Sequence, residues 1–429
     1  MSGFPEEVHA VGDDHVQEEF IENNEVEQEY VVDENAGAPM DDDDDEEDEG
    51  EEGPEEPIEI DMSNNSYTYF DKHSDSIFTV SQHPKLPLVC TGGGDNVAYL
   101  WTSHSQPPKF AGTITHSESV IAGDFSCDGK FLITADMNGQ VLVHKAVKGG
   151  QQWNKCAELH EVEEVTWLKV HPTVAGIFAF GAVDGSVWCY QINSNSGSLE
   201  QLMSGFAHQQ DCTMGEFVDV ELGDTAVTLV TCSLDSTIVG WNCFTGQNLF
   251  KISQSELRGI EAPWVSLARA PASKSASVIA CGANNGVLAI VNCQNGAVLQ
   301  LSTVIELKPE QDELDASIES IAWSPKFPLL AIGLVSGEVL LYETQSWRVR
   351  HKFVLEDSVT KLKFESENGC FLFASCINGK VYEYDARNGQ EVHVCLGHNM
   401  GVLDFVLSED GKKLITAGDE GVSLLFQLP

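Results

Sequence analysis

From about residue 58 onward, one arrangement of apolar and polar positions recurs along the chain. A small residue is followed by a tight turn containing Asp, Asn, Ser or Gly, and then by alternating apolar residues that usually end in an aromatic side chain. Alternation with a period of two predicts β-strands, and Asn-Gly or Asp-Gly between two such runs predicts a hairpin turn. The turns are marked by Asp95, Asn138, Asp184, Asp235, Asn285, Ser336, Asn378 and Glu420.

These turns recur at intervals of 42–51 residues, a spacing typical of propeller blades made of four short strands. We therefore expect an all-β, eight-bladed propeller over residues 58–429, or seven blades if one degenerate repeat is a long insertion. Runs such as 162–167 and 317–323 predict the first strands of their blades. The chain ends after the third strand of the last repeat, so we expect a strand near 64–70 to complete that blade and close the ring.

Charge divides the chain into two parts. Residues 1–61 contain 27 Asp and Glu and no Lys or Arg, and the remaining 41 acidic residues exceed the 23 basic ones by 18. High charge with few apolar residues predicts a disordered tail over 1–57, which either keeps the protein soluble or holds a basic client. A field of this sign repels nucleic acid and anionic membranes and attracts basic partners.

The sequence contains no motif that indicates catalysis, a cofactor or a metal site, so we expect a binding protein and not an enzyme. The glycines at 92–94 lack the Lys of a phosphate-binding loop and suit a repeat turn. Twelve cysteines form no CxxC pair, which favours a reducing compartment. Since no signal peptide or membrane-spanning run is visible, we expect a cytoplasmic protein. We also expect it to be a monomer.

Carboxylates collect on one predicted face of the propeller. The turns between second and third strands, and the loops leading into first strands, gather there around the channel, where acid suits an extended Arg- or Lys-rich peptide. Asp95, Asp184 and Asp235 are expected to be structural turn residues. Glu163 and Glu319 each precede an aromatic of a first strand by four residues, so we expect them at equivalent places. The candidate protein-binding residues are Glu118, Glu163, Asp211, Asp315, Glu319, Asp357, Asp419 and Glu420.

The segment 231–242, TCSLDSTIVGWN, resembles the strand signature of the WD-repeat family. Gly397 and His398 supply the family's Gly-His pair, and Trp101 and Trp241 occupy its Trp position. The resemblance implies a propeller in which a His, a Ser or Thr, an Asp and the Trp form a structural hydrogen-bond set. In the fourth repeat the implied set is His208, Ser233, Asp235 and Trp241.

Longer blocks at 61–76, 90–113, 302–320, 347–362 and 376–391 resemble a WD-repeat family of ribosome-assembly chaperones and, more loosely, the angio-associated migratory cell protein family. The resemblance implies a dedicated chaperone that binds the basic N-terminal segment of a newly made large-subunit ribosomal protein, called L-ten in yeast. It further implies loading of that client onto pre-60S particles, and a client-binding face containing Glu319 and Asp419. The alternatives are a histone-binding propeller and a scaffold or ubiquitin-ligase adaptor.

Overall fold

The computed structural model describes residues 63–272, 277–307, 311–408 and 410–429. Within these ranges, 32 strands form eight four-stranded antiparallel sheets. The expectation of eight blades is therefore confirmed, and the seven-bladed alternative is wrong. The tail expected over 1–57 lies outside the described residues. Among the described residues, no helical segment has the length and hydrophobicity that spanning a bilayer requires.

The strands of blades 1–4 follow one another in chain order after an initial strand β1 (Thr68–Phe70). Blade 1 contains β2 (Ile77–Gln82), β3 (Leu88–Gly93), β4 (Val97–Thr102) and β5 (Phe110–Thr115). Blade 2 contains β6 (Val120–Phe125), β7 (Phe131–Asp136), β8 (Gln140–Val147) and β9 (Gln152–His160). Blade 3 contains β10 (Val165–Val170), β11 (Ile177–Ala182), β12 (Val187–Ile192) and β13 (Leu199–Gly205). Blade 4 contains β14 (Cys212–Val218), β15 (Thr228–Ser233), β16 (Ile238–Asn242) and β17 (Gln247–Ile252).

Blades 5–8 repeat the arrangement. Blade 5 contains β18 (Trp264–Arg269), β19 (Val278–Ala283), β20 (Val287–Asn292) and β21 (Val298–Thr303). Blade 6 contains β22 (Ile318–Trp323), β23 (Leu329–Leu334), β24 (Glu338–Glu343) and β25 (Arg348–Val354). Blade 7 contains β26 (Val359–Phe364), β27 (Phe371–Cys376), β28 (Val381–Asp385) and β29 (Gln390–Cys395), and blade 8 contains β30 (Val402–Leu407), β31 (Lys413–Gly418) and β32 (Ser423–Gln427). Short 3-10 turns lie at Lys148–Gly150, Val220–Thr225 and Glu313–Ala316.

The first strand of every blade contacts the first strands of its two neighbours, so these eight strands line the central channel. Each of them carries a bulge at its second residue, where the pairing with the second strand of the blade shifts. A bulge bends the strand and re-aims the side chain of the extra residue. The eight bulge residues therefore form a ring at the start of the channel.

Strand β1 pairs with β32 and supplies the fourth strand of blade 8, with Thr68 opposite Leu425 and Phe70 opposite Ser423. Phe70 is buried, and its ring stacks on Trp101 of blade 1 with centroids 4.9 Å apart. Such an aromatic pair contributes about 0.5–1.5 kcal/mol beyond its buried area. The start of the propeller thus joins its last blade to its first.

Hydrogen-bond sets of the WD type fix the turns of four blades. In blade 1, His73 bonds both Asp95 and Thr91 at 3.0 Å, and the Trp101 indole donates to Thr91. Blades 2, 4 and 8 carry related sets, which are anchored on Thr134, Thr231 and Thr416.

In blade 4 the predicted hydroxyl residue is wrong. His208 bonds Thr231 at 2.8 Å, and the Trp241 indole donates to the same hydroxyl at 2.8 Å. The Ser233 hydroxyl donates instead to the Gln210 carbonyl. The reason is strand alternation: Thr231 lies directly opposite Val239, two residues from Trp241, whereas Ser233 is already the end of β15.

Candidate functional site

One hydrogen bond, repeated in all eight blades, defines the face on which the predicted residues lie. The first residue of the turn after the second strand donates its N–H to the residue just before the first strand, over 2.8–3.3 Å. The donors are Gly94, Met137, Val183, Leu234, Asn284, Val335, Ile377 and Asp419. This bond joins the turn of each blade to the leading loop, which is the loop before its first strand. The eight joined edges form a continuous rim around the channel.

Three of the predicted residues share one structural position on this rim. Glu118, Glu163 and Asp357 each lie two residues before a first strand, in blades 2, 3 and 7, and all three are exposed. Glu118 and Asp357 accept the N–H of the next residue, at 3.2 and 2.7 Å. These local bonds hold the carboxylates at the rim.

A fourth carboxylate at this position was missed from the sequence. Asp75 of blade 1 is exposed and accepts the Ser76 N–H at 2.8 Å, as its counterparts do. The signal was present, because Asp75 also lies two residues before a first strand. With it, acid occupies this position in blades 1, 2, 3 and 7.

Glu319 lies deeper than these four and closer to the channel. It is the bulge residue of β22, where the pairing shifts between Ile318 and Ser320, and its side chain is exposed. The Ser317 hydroxyl donates to Glu319 at 2.6 Å, which orients the carboxylate. The expectation that Glu163 and Glu319 are equivalent is wrong, because Glu163 precedes β10 by two residues whereas Glu319 is the second residue of β22. The two aromatic residues used to align them occupy different strand positions.

The two acidic residues of the last turn have different environments. Asp419 accepts a hydrogen bond of 2.7 Å from the Ser76 hydroxyl of blade 1. Glu420 bonds His398 at 2.6 Å and occupies the place that Asp95 has in blade 1. Glu420 is therefore the structural acid of blade 8, and Asp419 is the carboxylate of that turn that lies at the seam between blades 8 and 1.

Asp211 and Asp315 are half-buried and flank the rim. The Asp211 carbonyl accepts the Leu234 N–H in blade 4. The Asp315 carbonyl accepts the Ser336 N–H in blade 6, where Asp315 belongs to a short 3-10 turn. Both residues support the frame through their backbones.

A depression of about 560 Å³ opens in the rim of blade 3. Four carboxylates and two valines line it, together with His160. These lining residues are Glu161, Glu163, Glu164, Asp184, Val162 and Val183. Its size is within the range of ligand pockets, and its charge suits a cationic side chain.

The rim also exposes apolar side chains that were not predicted. Met137, Val183 and Ile377 are 41, 37 and 39% exposed and occupy the same turn position as Asp419. Phe78, the bulge residue of β2, is 38% exposed. The sequence could have revealed Met137, Val183 and Ile377, because each is an apolar residue at the first turn position, where exposure to solvent favours polar residues. The rim therefore combines acid with apolar contact area.

Basic residues are scarce on the same face. In the described leading loops and turns they are Lys72, Arg258 and Lys380. Lys380 and Asn378 donate to Glu356 at 2.8 and 3.0 Å, and these bonds lower the pKa of that carboxyl. The described residues contain no group of His, Cys, Asp and Glu that could hold a metal ion.

Two family patterns match the chain. The WD domain, G-beta repeat, matches residues 64–102. The anaphase-promoting complex subunit 4 WD40 domain matches residues 273–367 and 321–406. Both agree with the propeller described above.

Among proteins of known role, the chain is 67% identical to the ribosome assembly protein SQT1 of Saccharomyces cerevisiae, over 87% of this chain and 89% of the relative. It is 26% identical to the human angio-associated migratory cell protein, over 85% of this chain and 80% of that protein. Both resemblances expected from the sequence are thereby confirmed.

Two solved structures are also similar. The crystal structure of Saccharomyces cerevisiae Sqt1 aligns with a TM-score of 0.83 and covers 86% of this chain and all of that one, at 67% identity. The structure of Chaetomium thermophilum Sqt1 bound to the N-terminus of the ribosomal protein L10 aligns with a TM-score of 0.75. It is 29% identical and covers 85% of this chain and all of that one.

Proposed function

Because this chain belongs to the family of the ribosome assembly protein Sqt1, we propose that it is a dedicated chaperone for a large-subunit ribosomal protein. It binds the basic N-terminal segment of the newly made client, which corresponds to L10, and assists its loading onto pre-60S particles. It acts as a cytoplasmic monomer, without a cofactor, as a binding protein and not as an enzyme.

One observation carries the proposal: an acidic rim with exposed apolar side chains surrounds the channel. Asp75, Glu118, Glu163 and Asp357 occupy one repeated position of the rim, and Glu319 lies inside it. The relative from Chaetomium thermophilum, which was crystallised with the N-terminus of L10, supports the assignment of the client.

The chemistry of the rim suits such a client. Arg and Lys side chains form charge-assisted hydrogen bonds with carboxylates, and these bonds are about twice as strong as neutral ones. A long-range negative field speeds the encounter with a polycation, and it weakens as salt rises. A newly made basic protein is thereby shielded from RNA until it is handed over.

We assign the binding contacts chiefly to Glu319 and Asp419, with Glu118, Glu163, Asp357 and Asp75 around them. Asp211 and Asp315 extend the acidic surface through blades 4 and 6. Glu420 contributes indirectly, because its bond to His398 holds the turn that presents Asp419. The exposed Phe78, Met137, Val183 and Ile377 supply contact for apolar residues of the client.

Calorimetric titration of the full chain tests this proposal against its alternatives. The titrants are the N-terminal peptide of the organism's own L10, a peptide of shuffled order with the same composition, and a histone tail. We expect the ribosomal peptide to bind more tightly than the other two. Equal affinity for the shuffled peptide would contradict a dedicated chaperone, and tighter binding of the histone tail would favour a histone-binding propeller.

A further inference from the structure

Five charged side chains line one cavity inside the channel, below the rim. The cavity has a volume of about 470 Å³, which is within the range of small-molecule sites. Its charged residues all belong to first strands, and three are lysines in a folded part that is otherwise strongly acidic. They are Asp124, Lys169, Lys361, Lys363 and Asp404.

Two of these five charged side chains, Lys361 and Asp404, are paired with each other. The Lys361 ammonium forms an ion pair with Asp404, and the Val80 N–H donates to the second oxygen of Asp404 at 3.0 Å. The Lys361 ammonium also lies 5.6 Å from the centroid of the Phe405 ring. This ion pair joins blades 7 and 8 and leaves neither of the two charges unpaired.

Lys169 and Lys363 are left without such a contact. Neither ammonium group forms a hydrogen bond or an ion pair within the described residues, although both side chains are half-buried. The nearby Asp124 accepts the Phe125 N–H at 2.8 Å and attracts both ammonium groups only at longer range, as Asp404 attracts that of Lys363. Burial lowers the pKa of Lys363 to about 8 and raises the pKa of Asp124. A charge withdrawn from water without a partner is unfavourable, so this arrangement is incomplete.

The two lysines approach the cavity from opposite walls. Lys169 is the fifth residue of β10 in blade 3, and Lys363 is the fifth residue of β26 in blade 7. Blades 3 and 7 are four apart in a ring of eight and therefore face each other across the channel. Both lysines thus line the same cavity at equivalent strand positions.

We propose that this cavity is a binding site for a phosphate group, held between Lys169 and Lys363. A lysine ammonium is a compact point charge with three donors, and it is a common phosphate ligand. The three lysines and two carboxylates that line the cavity leave a net positive charge that an oxyanion neutralises. No group of the client-binding rim takes part, so this site is separate from the proposed chaperone surface.

The route to the site runs from the face opposite the rim. The bulge residue Glu319 lies three strand positions above the level of Lys363, a separation of about 10 Å, so acid guards the upper opening. At the lower opening, a second cavity shares Gln82 and Leu407 with the first, and its lining includes both the exposed Lys85 and Asp410. An anion therefore meets carboxylate charge alone at the upper opening, and charges of both signs at the lower one.

Calorimetric titration of the full chain at low ionic strength tests the proposal, with inorganic phosphate and AMP as the two probes. We expect saturable 1:1 binding of at least one probe. Binding of phosphate alone assigns the site to the free ion, and binding of AMP, with or without phosphate, assigns it to phosphate esters. Absence of saturable binding for both probes would overturn the proposal.

Variants with opposite expected effects on the affinity for the phosphate probes test the site further. K169M/K363M should weaken binding by about tenfold or more, because two charge-assisted contacts are lost. D124N should strengthen it, because a repelling carboxylate is removed. K130M, which alters an exposed lysine paired with Asp128 on the lower face, is the matched control and should bind as the parent does. Thermal unfolding verifies that each variant is folded; unchanged affinity in both K169M/K363M and D124N would overturn the site.

Discussion

Ser76 and Asp419 are 343 residues apart in the chain, and the Ser76 hydroxyl donates to the Asp419 carboxylate over 2.7 Å. The bond joins the leading loop of blade 1 to the turn of blade 8, at the seam where the ring closes. It also fixes the direction of a carboxylate to which we assign client binding. Asp419 thus combines a structural contact with the binding role that we propose for it.

Two substitutions separate those roles. Ser76→Ala removes the bond but leaves the charge, so the free energy of unfolding should fall by about 0.5–1.5 kcal/mol while client affinity changes little. Asp419→Asn keeps an acceptor oxygen but removes the charge, so stability should hold while affinity falls by up to about tenfold. Denaturant unfolding and calorimetry with the client peptide measure the two quantities. If Asp419→Asn instead lowered the free energy of unfolding and left client affinity unchanged, Asp419 would be purely structural.

Glu319 offers a second test of the rim. Glu319→Gln preserves the acceptor of the Ser317 hydroxyl bond and removes the charge at the channel mouth. We expect about tenfold weaker binding of the client peptide and unchanged thermal stability. Glu391→Gln, at an exposed position on the outer strand of blade 7, is the matched control. Equal losses of client affinity in the two variants would mean that binding depends only on the net charge of the protein.

Ring closure depends on Phe70. Phe70→Ala should lower the free energy of unfolding by about 3–5 kcal/mol, because a buried ring stacked on Trp101 is lost. Tyr69→Ala, in the same strand, should have a much smaller effect because Tyr69 is 56% exposed. Urea unfolding of both variants measures the two losses in the free energy of unfolding. Similar losses for the two would contradict closure through the buried face of β1.

Buried histidines predict a loss of stability in acid. Burial lowers the pKa of His144, His171 and His208 to about 4, from an ordinary value of 6.5. Between these values the unfolded chain binds protons that the folded chain does not. The contribution to stability is therefore complete above pH 6.5 and is lost as pH falls toward 4, by up to about 1.4 kcal/mol per pH unit and histidine.

His144 allows a direct check of this window. It occupies the strand position of Trp101, Trp241 and Phe426, and its Nδ1 is buried without a hydrogen bond among the described residues. His144→Phe should keep the melting temperature at about pH 7.5 and reduce its fall toward pH 4.5. Thermal unfolding across this range measures both. An equally steep fall in the variant would exclude His144 as a contributor.

The blade count followed from the sequence because the turn residues, a local feature, recur once per blade at intervals of 42–51 residues. The place of Glu319 did not, since a bulge depends on the pairing of β22 with β23, and hydrophobic alternation does not reveal that register. The prediction of Ser233 in place of Thr231 was wrong for a related reason: both are hydroxyl residues near one turn, and only the strand pairing shows that Thr231 lies beside Trp241. The opposed Lys169 and Lys363 come together only through closure of the whole ring.

We propose that the rim binds the basic segment of the client mainly through electrostatic attraction. This proposal is tested most directly by calorimetric titration of the client peptide at low and high salt, with the parent chain and the folded Glu319→Lys, Asp419→Lys double variant. We predict that affinity of the parent falls as salt rises, and that the double variant loses most of its affinity already at low salt. Salt-independent binding by the parent, or unchanged affinity of the double variant, would contradict the account.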